Sequence, residues 1–206
     1  MKHRFLGRAD YIDTFEAMKA FTRDRDASTP DELWLLEHDP VFTQGISGKE
    51  EHLLSPGSIP VVNIDRGGQV TYHGPGQCVA YVLLDIRRAG LSVRGLVSAI
   101  ELAVTRLLAS YAIEAVANPR APGVYVDGRK IAALGLKVSR GRCYHGVALN
   151  VDMDLTPFAM INPCGYPGLE VVSMASLTGR TDLDQWAIGH ELLNCLEQAF
   201  VGAEPA

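Results

Sequence analysis

The sequence predicts an α/β fold with a mixed β-sheet flanked by helices, and three observations carry that prediction. Short apolar runs bounded by Gly, Pro or Asp recur along the chain, as buried strands do. Two longer segments repeat apolar residues at i, i+3 and i+4, the spacing of a helix resting on a core. The turn Arg140-Gly141-Arg142 separates two strand-length segments, which reads as a hairpin.

Taken in order, Asp10 can cap a first helix with Tyr11, Phe15 and Met18 on one face, ending before Ser28-Thr29-Pro30. "ELWLLEH", "PVVNI" and "CVAYVLLDI" follow as buried strands. Ser92 opens a second helix whose stripe of Val93, Leu96, Val97, Ile100, Val104, Leu107, Leu108 and Tyr111 must lie on the sheet. "GVYVDG" and "KIAALGLKVS" are further strands, and "RCYHGVALNVD" pairs with the latter. A last helix starts near Asp182 and buries Leu183, Trp186, Leu193, Leu196 and Phe200.

At 206 residues the chain is expected to form one domain over 1–206, large enough to bury a core without cross-links. Hydrophobic residues make up 47% and charged ones 21%, which argues against disorder. A formal charge of −5 gives no global nucleic-acid footprint. The N-terminus has no apolar run of signal-peptide length and nowhere do about 18 uninterrupted apolar residues occur, so a cytoplasmic protein away from the membrane is expected. Cys78, Cys143, Cys164 and Cys195 form no CxxC or CxxH pair; free thiols and no metal are expected.

Two constellations carry chemistry. "RGGQVTYHGPGQ" places Gly67, Gly68, Gly74 and Gly76 among Arg66, Gln69, Thr71, Tyr72 and His73. It is either a pair of tight turns or a loop that embraces a ligand with its exposed N–H groups. It matches neither phosphate-cradling motif, GxxxxGK[ST] or GxGxxG. In "INPCGYPG", Cys164 stands between Pro163 and Gly165 in a turn, whereas the other three cysteines read as small buried hydrophobes. Turn amides beside such a thiol could supply an oxyanion site.

A nucleophilic cysteine needs its thiolate stabilised. Lys2, Lys19 and Lys49 fall in polar or turn segments, and Lys137 ends an apolar run that Lys130 begins. Lys130 is the better candidate: at a pocket edge burial would lower its pKa, and as a cation it would favour a neighbouring thiolate. The alternative is a solvated charge at a strand end.

Together "RGGQVTYHGPGQ", "APGVYVDGRKIAALGLKVSRG" and "YHGVALNVDMDLTPFAMINPCGYPGLEV" resemble, in order and spacing, the lipoyl(octanoyl) transferases of lipoate biosynthesis. The resemblance implies the single α/β unit of the biotin and lipoate ligase catalytic domains. It implies an acyltransferase that takes an octanoyl group from octanoyl-acyl carrier protein, without ATP or any other cofactor. The acceptors it implies are lysines of the lipoyl domains of 2-oxoacid dehydrogenases and of the glycine cleavage H protein. Residue by residue, the acyl-thioester nucleophile corresponds to Cys164 and the lysine that tunes it to Lys130. Substrate-contacting segments correspond to Arg66, Gly67, Gly68, Gln69, Val70, Thr71, Tyr72 and His73, to Ala133, Leu134 and Gly135, and to Gly146, Val147 and Ala148.

On this reading the Gly-rich loop walls an acyl tunnel widened by the small Ala133, Gly135, Gly146 and Ala148, and His73 orients that wall. Three rivals stand beside it: an ATP-dependent lipoate or biotin ligase, which needs no cysteine; a thioester hydrolase pairing Cys164 with His73 or His145; and a non-catalytic acyl-binding module. Docking of acidic partners would need a local positive cluster. Arg87, Arg88 and Arg94, or Arg129, Arg140 and Arg142, are candidates, unless they are ordinary solvated arginines.

Overall fold

Burial on both faces explains the longest apolar run. Strand β6 (Gln77–Asp85) presents Cys78, Ala80, Val82 and Leu84 to one core and Val79, Tyr81 and Leu83 to another, so no polar alternation appears. The computed structural model describes residues 1–201. Seven strands form its main sheet in the order β1 (Lys2–Ala9), β2 (Glu32–His38), β6, β10 (Arg142–Asn150), β9 (Arg129–Ser139), β8 (Gly123–Val126) and β7 (Val116–Ala117). Only β1 and β2 pair in parallel; every other neighbour is antiparallel. A second sheet has the order β4 (Val61–Asn63), β3 (Val41–Gln44), β5 (Val70–His73). The expected mixed α/β architecture is therefore present.

Helices α2 (Val93–Ser110) and α4 (Gln185–Val201) cover one face of the main sheet. Leu96, Ile100, Val104, Leu107 and Leu108 of α2 are buried there, each contributing roughly 1.5–3 kcal/mol by leaving water. Helix α1 (Tyr11–Asp24) covers the other face, with Met18 against Trp34 and Leu36. The Asp10 carboxylate accepts from the Asp13 N–H, and the Ser92 hydroxyl from the Gly95 N–H, as N-caps do. The β9–β10 hairpin turns through Arg140 and Gly141, both at positive φ, so Arg142 already belongs to β10.

Several elements differ from the sequence reading. β1 was not expected, because an edge strand with an exposed surface shows no apolar alternation. "PVVNI" is not a buried strand: Val61 and Asn63 are exposed in the small sheet. The Gly-rich segment is not turns alone, since Val70–His73 forms β5 against β3. β3, β7 and the short helix α3 (Met174–Thr178) were also unassigned. Helix α4 begins at Gln185 rather than Asp182, with Asp184 accepting from the Trp186 and Ala187 N–H groups. At the start of α2, Val93 is half exposed and so leaves the buried stripe.

Two buried histidines, His38 of β2 and His73 of β5, make the fold acid-sensitive. His38 lies between the Ala9 carbonyl and the Tyr81 hydroxyl, and His73 Nδ1–H donates to Gln77 Oε1 at 2.8 Å. Burial pushes His38 down to about 4, against the opposing pull of the Ala9 carbonyl, Asp10 and Asp39. Burial, then the neighbouring His38, takes His73 to about 3. Both folded values lie below the unfolded one, so the stability conferred is complete above about pH 6.5 and is lost as pH falls. Stability against urea is expected to fall between pH 6.5 and 5 with a slope that steepens toward about 1.4 kcal/mol per pH unit for each histidine. A flat profile over that interval would contradict the neutral burial of both rings.

Candidate active site

Cys164 occupies a short turn, Pro163–Gly165, with φ 57° and ψ 16°. That left-handed conformation costs a non-glycine residue roughly 1–2 kcal/mol and is held here by the surroundings. The Asn162 N–H donates to the His52 carbonyl, and inside the turn the Gly165 and Tyr166 N–H groups donate to Asn162 and Pro163. The thiol is partly exposed. By contrast, burial pushes the Cys78 and Cys143 thiols up to about 12, so neither is a nucleophile at neutral pH.

The first residues of β9 bring an amine to that thiol. Lys130 is 3% exposed, and its Nζ donates to Cys164 Sγ at 2.9 Å and to the Pro122 carbonyl at 3.3 Å. Its Nζ also sits 5.1 Å from the centre of the Tyr125 ring. Space for the amine comes from Gly123: a Cβ there would lie 3.0 Å from Lys130 Cε and 3.2 Å from Nζ. The buried Glu101 carboxylate of α2 holds the Gly123 N–H at 3.0 Å. The backbone ties the pair together as well. Lys130 N–H donates to the Glu170 carbonyl, and the Val172 N–H to the Lys130 carbonyl, so the chain leaving Cys164 returns to β9 as a parallel bridge.

Burial works against the Lys130 ammonium, but the Cys164 charge and hydrogen bond, with Tyr125 adding to them, hold its pKa above the ordinary lysine value. The lowering expected from burial alone is thus overturned by the ion pair. The geometry places the Lys130 ammonium within hydrogen-bonding reach of the Cys164 sulfur.

A cavity of about 360 Å³ extends from this pair over the sheet. Fourteen of the sixteen residues singled out above line it: Cys164 and Lys130, then Arg66–Gln69, Thr71 and His73, then Ala133–Gly135 and Gly146–Ala148. Val70 and Tyr72 do not. On β5 alternate side chains face opposite ways, and these two pack with Phe42, Phe158 and Ile161 instead. The small residues also divide by role. A Cβ on Gly146 would lie 2.0 Å from the Ala80 carbonyl oxygen, so that glycine serves strand approach. One on Gly135 would meet Arg66 Cδ at 2.6 Å, so that glycine seats the guanidinium. Ala133 and Ala148 leave the floor low.

Arg66 is buried and bonds the Thr43 carbonyl and hydroxyl and the Gly67 carbonyl, with no carboxylate within ion-pair distance among the described residues. Burial lowers its pKa, which the Tyr11 and Cys164 charges oppose. Residues that sequence reasoning missed come from distant segments: Tyr11 of α1, Val79 and Tyr81 of β6, and Val93 and Val97 of α2; His145, weighed above only as a partner for Cys164, also lines the cavity with its Nε2 3.1 Å from Asp65 Oδ1. Only topology brings them to one cavity. Neither His73 nor His145 is hydrogen-bonded to Cys164; His73 meets Gln77 and Thr43, and His145 meets Asp65. The Cys–His hydrolase arrangement is therefore not formed.

The candidate docking arginines divide too. Arg88 is spent on Asp31 and two backbone carbonyls, and Arg142 on the Thr22 carbonyl. Arg87 packs on Gly141 of the hairpin turn and so lies beside Arg140 and Arg142, whereas Arg129 begins β9 at the other end of that strand. Among the described residues, no group of three or more His, Cys, Asp and Glu could hold a metal ion, and no helix is long and apolar enough to cross a membrane.

This mixed α/β fold, a large sheet flanked by helices, is shared with the catalytic domains of the lipoate and biotin ligases. The solved structure of a lipoate-protein ligase A bound with ATP superposes with TM-score 0.71 over 97% of this chain and 84% of that one, at 17% identity. The biotin protein ligase from Aquifex aeolicus superposes at TM-score 0.60 over 97% and 68%, at 14% identity. The chain belongs to the lipoyl protein ligase A/B catalytic domain family, whose model matches residues 10–196. Proteins named octanoyltransferase are similar throughout: one from Pseudomonas putida is 62% identical over 88% of this chain and 85% of its own length. One from Stutzerimonas stutzeri is 60% identical over 89% and 84%, and one from Azotobacter vinelandii 65% identical over 81% and 76%.

Proposed function

We propose that this chain, acting as one catalytic domain in the cytoplasm, moves an octanoyl group from octanoyl-acyl carrier protein to a lysine of a lipoyl domain through an acyl-enzyme at Cys164. Identity of 60–65% to octanoyltransferases supports octanoyl transfer in lipoate biosynthesis, and with it an acyltransferase. The observation that carries the acyl-enzyme reading is the 2.9 Å contact between Lys130 Nζ and Cys164 Sγ at one end of an apolar-floored cavity. The lipoyl domains of 2-oxoacid dehydrogenases and the glycine cleavage H protein are the proposed acceptors. No nucleic acid or membrane takes part.

The ionised sulfur attacks the thioester carbonyl, the new C–S bond forms, and the carrier's sulfur leaves with the proton of the Lys130 ammonium. Because one thioester replaces another, no nucleotide is required. The acylated sulfur carries no charge, so the support Cys164 gave the Lys130 ammonium is gone, burial works against the cation, and the amine stays neutral. The acceptor lysine arrives uncharged and attacks the acyl-enzyme. Its surplus proton passes to Lys130, the Cys164 sulfur departs as thiolate, and the ion pair re-forms beside the new amide.

Octanoyl-carrier and an apo lipoyl domain, mixed with the protein in the absence of nucleotide, are expected to give octanoylated domain by intact mass. Transfer that appears only when ATP is added would replace this reading with that of a ligase.

A further inference from the structure

The acyl-enzyme reading, on which this inference rests, leaves an unanswered need. Attack by Cys164 turns a carbonyl into an oxyanion, and such sites place hydrogen-bond donors about 2.7–3.1 Å from it. Apart from the Cys164 N–H, the amides of the Cys164 turn are spent. Of its amides, Gly165 N–H is committed to the Asn162 carbonyl and Tyr166 N–H to that of Pro163. The Gly67 N–H of the facing loop is likewise spent, on the Leu136 carbonyl. Lys130 is engaged with the sulfur itself.

One cavity-lining side chain reaches the turn with its polar group unspent. Gln69 lies against Gly165: a Cβ built there would sit 2.9 Å from Gln69 Cγ and 3.2 Å from Cδ, which puts the carboxamide beside the residue that follows the nucleophile. Its Oε1 is buried without a partner, an unusual state for a polar atom in a folded protein. The amide can turn over without sacrificing that oxygen's hydrogen bonding. His52 approaches the same glycine, with Nε2 at 3.3 Å, but it does not line the cavity and faces Glu51 at 3.8 Å.

We propose that the Gln69 carboxamide is a catalytic group that donates its N–H to the oxyanion formed when Cys164 adds to the acyl thioester. As the sulfur–carbon bond forms, the carbonyl π pair moves onto oxygen and Gln69 Nε2–H meets it. When the pair returns, the bond to the donor sulfur breaks and that sulfur takes the Lys130 proton. The unpartnered carboxamide is then a site kept for a transition state, which exists only during the reaction.

Alkylation by iodoacetamide distinguishes this role from a structural one, because displacement at a saturated carbon needs the same thiolate yet creates no oxyanion. Gln69→Leu, and Gln69→Met as a second variant that keeps the packing on Gly165, are to be compared with the unsubstituted protein in two single-turnover rates. Acylation of Cys164 by octanoyl-carrier is expected to slow about 10²–10³-fold. The rate of Cys164 alkylation is expected to stay within about twofold. Unchanged acylation overturns the proposal, and so does a parallel fall in both rates, which would assign Gln69 to holding the turn. Absence of any acyl-enzyme in the unsubstituted protein would instead defeat the reading on which the proposal rests.

Discussion

Replacement of Cys164 by alanine is expected to lower octanoyl transfer by about 10⁴-fold or more and to remove every acyl adduct from the protein. The expectation rests on division of labour among four thiols. Burial pushes Cys78 and Cys143 up to about 12 and raises Cys195 as well, leaving Cys164 as the thiol beside a cation. Among the described residues no second thiol lines the cavity to take over. Intact-mass spectra after incubation with octanoyl-carrier check the adduct, and amide formation on a lipoyl domain checks the rate. A variant that still transfers at more than a few per cent of the original rate would remove the acyl-enzyme from the mechanism.

Lys130 is expected to separate the two half-reactions. In Lys130→Met the stem is retained but both the charge and the proton are lost, so acylation, alkylation and transfer should all fall, by about 10²–10⁴-fold for the acid–base contribution. Lys130→Arg keeps a cation that does not give up its proton in a protein. Acyl-enzyme should then form, more slowly, while discharge to the acceptor amine stalls, so the adduct accumulates. Single-turnover acylation followed by mass, with acceptor added afterwards, reads both steps. Prompt discharge by the arginine variant would show that Lys130 acts through charge alone and that the acceptor's proton leaves by another route.

How far the residues foretold this site depends on what kind of information each part needs. The thiol and the amine were legible because their neighbours are unusual: a cysteine between proline and glycine, and a lysine heading an apolar run. The strands of the main sheet were legible where both faces are buried, as in β2 and β6. β1 was not, since its pairing with β2 places no demand on its exposed side chains. Val70 and Tyr72 show a subtler failure. Seen as part of a loop they belong with their neighbours, but as strand residues they alternate away from Gln69, Thr71 and His73. Tyr11, Tyr81 and Val97 carry no local mark of a site, because their place in the cavity follows from how α1, β6 and α2 are stacked. Gly135 and Gly146 look alike in sequence, although one accommodates a guanidinium and the other a neighbouring backbone.

The bridge between Lys130 and Glu170–Val172 has a consequence for how this lineage can drift. It fixes where the chain must arrive after leaving the nucleophile, so the segment Gly165–Leu169 behaves as a spacer of set length. Gly165 is held to glycine by its φ of 78° and by Gln69, and an insertion or deletion of one residue would displace sulfur from nitrogen by up to roughly 3.3 Å, the rise of one extended residue. A single codon gained or lost here would uncouple the two reacting groups while leaving both of them in the protein.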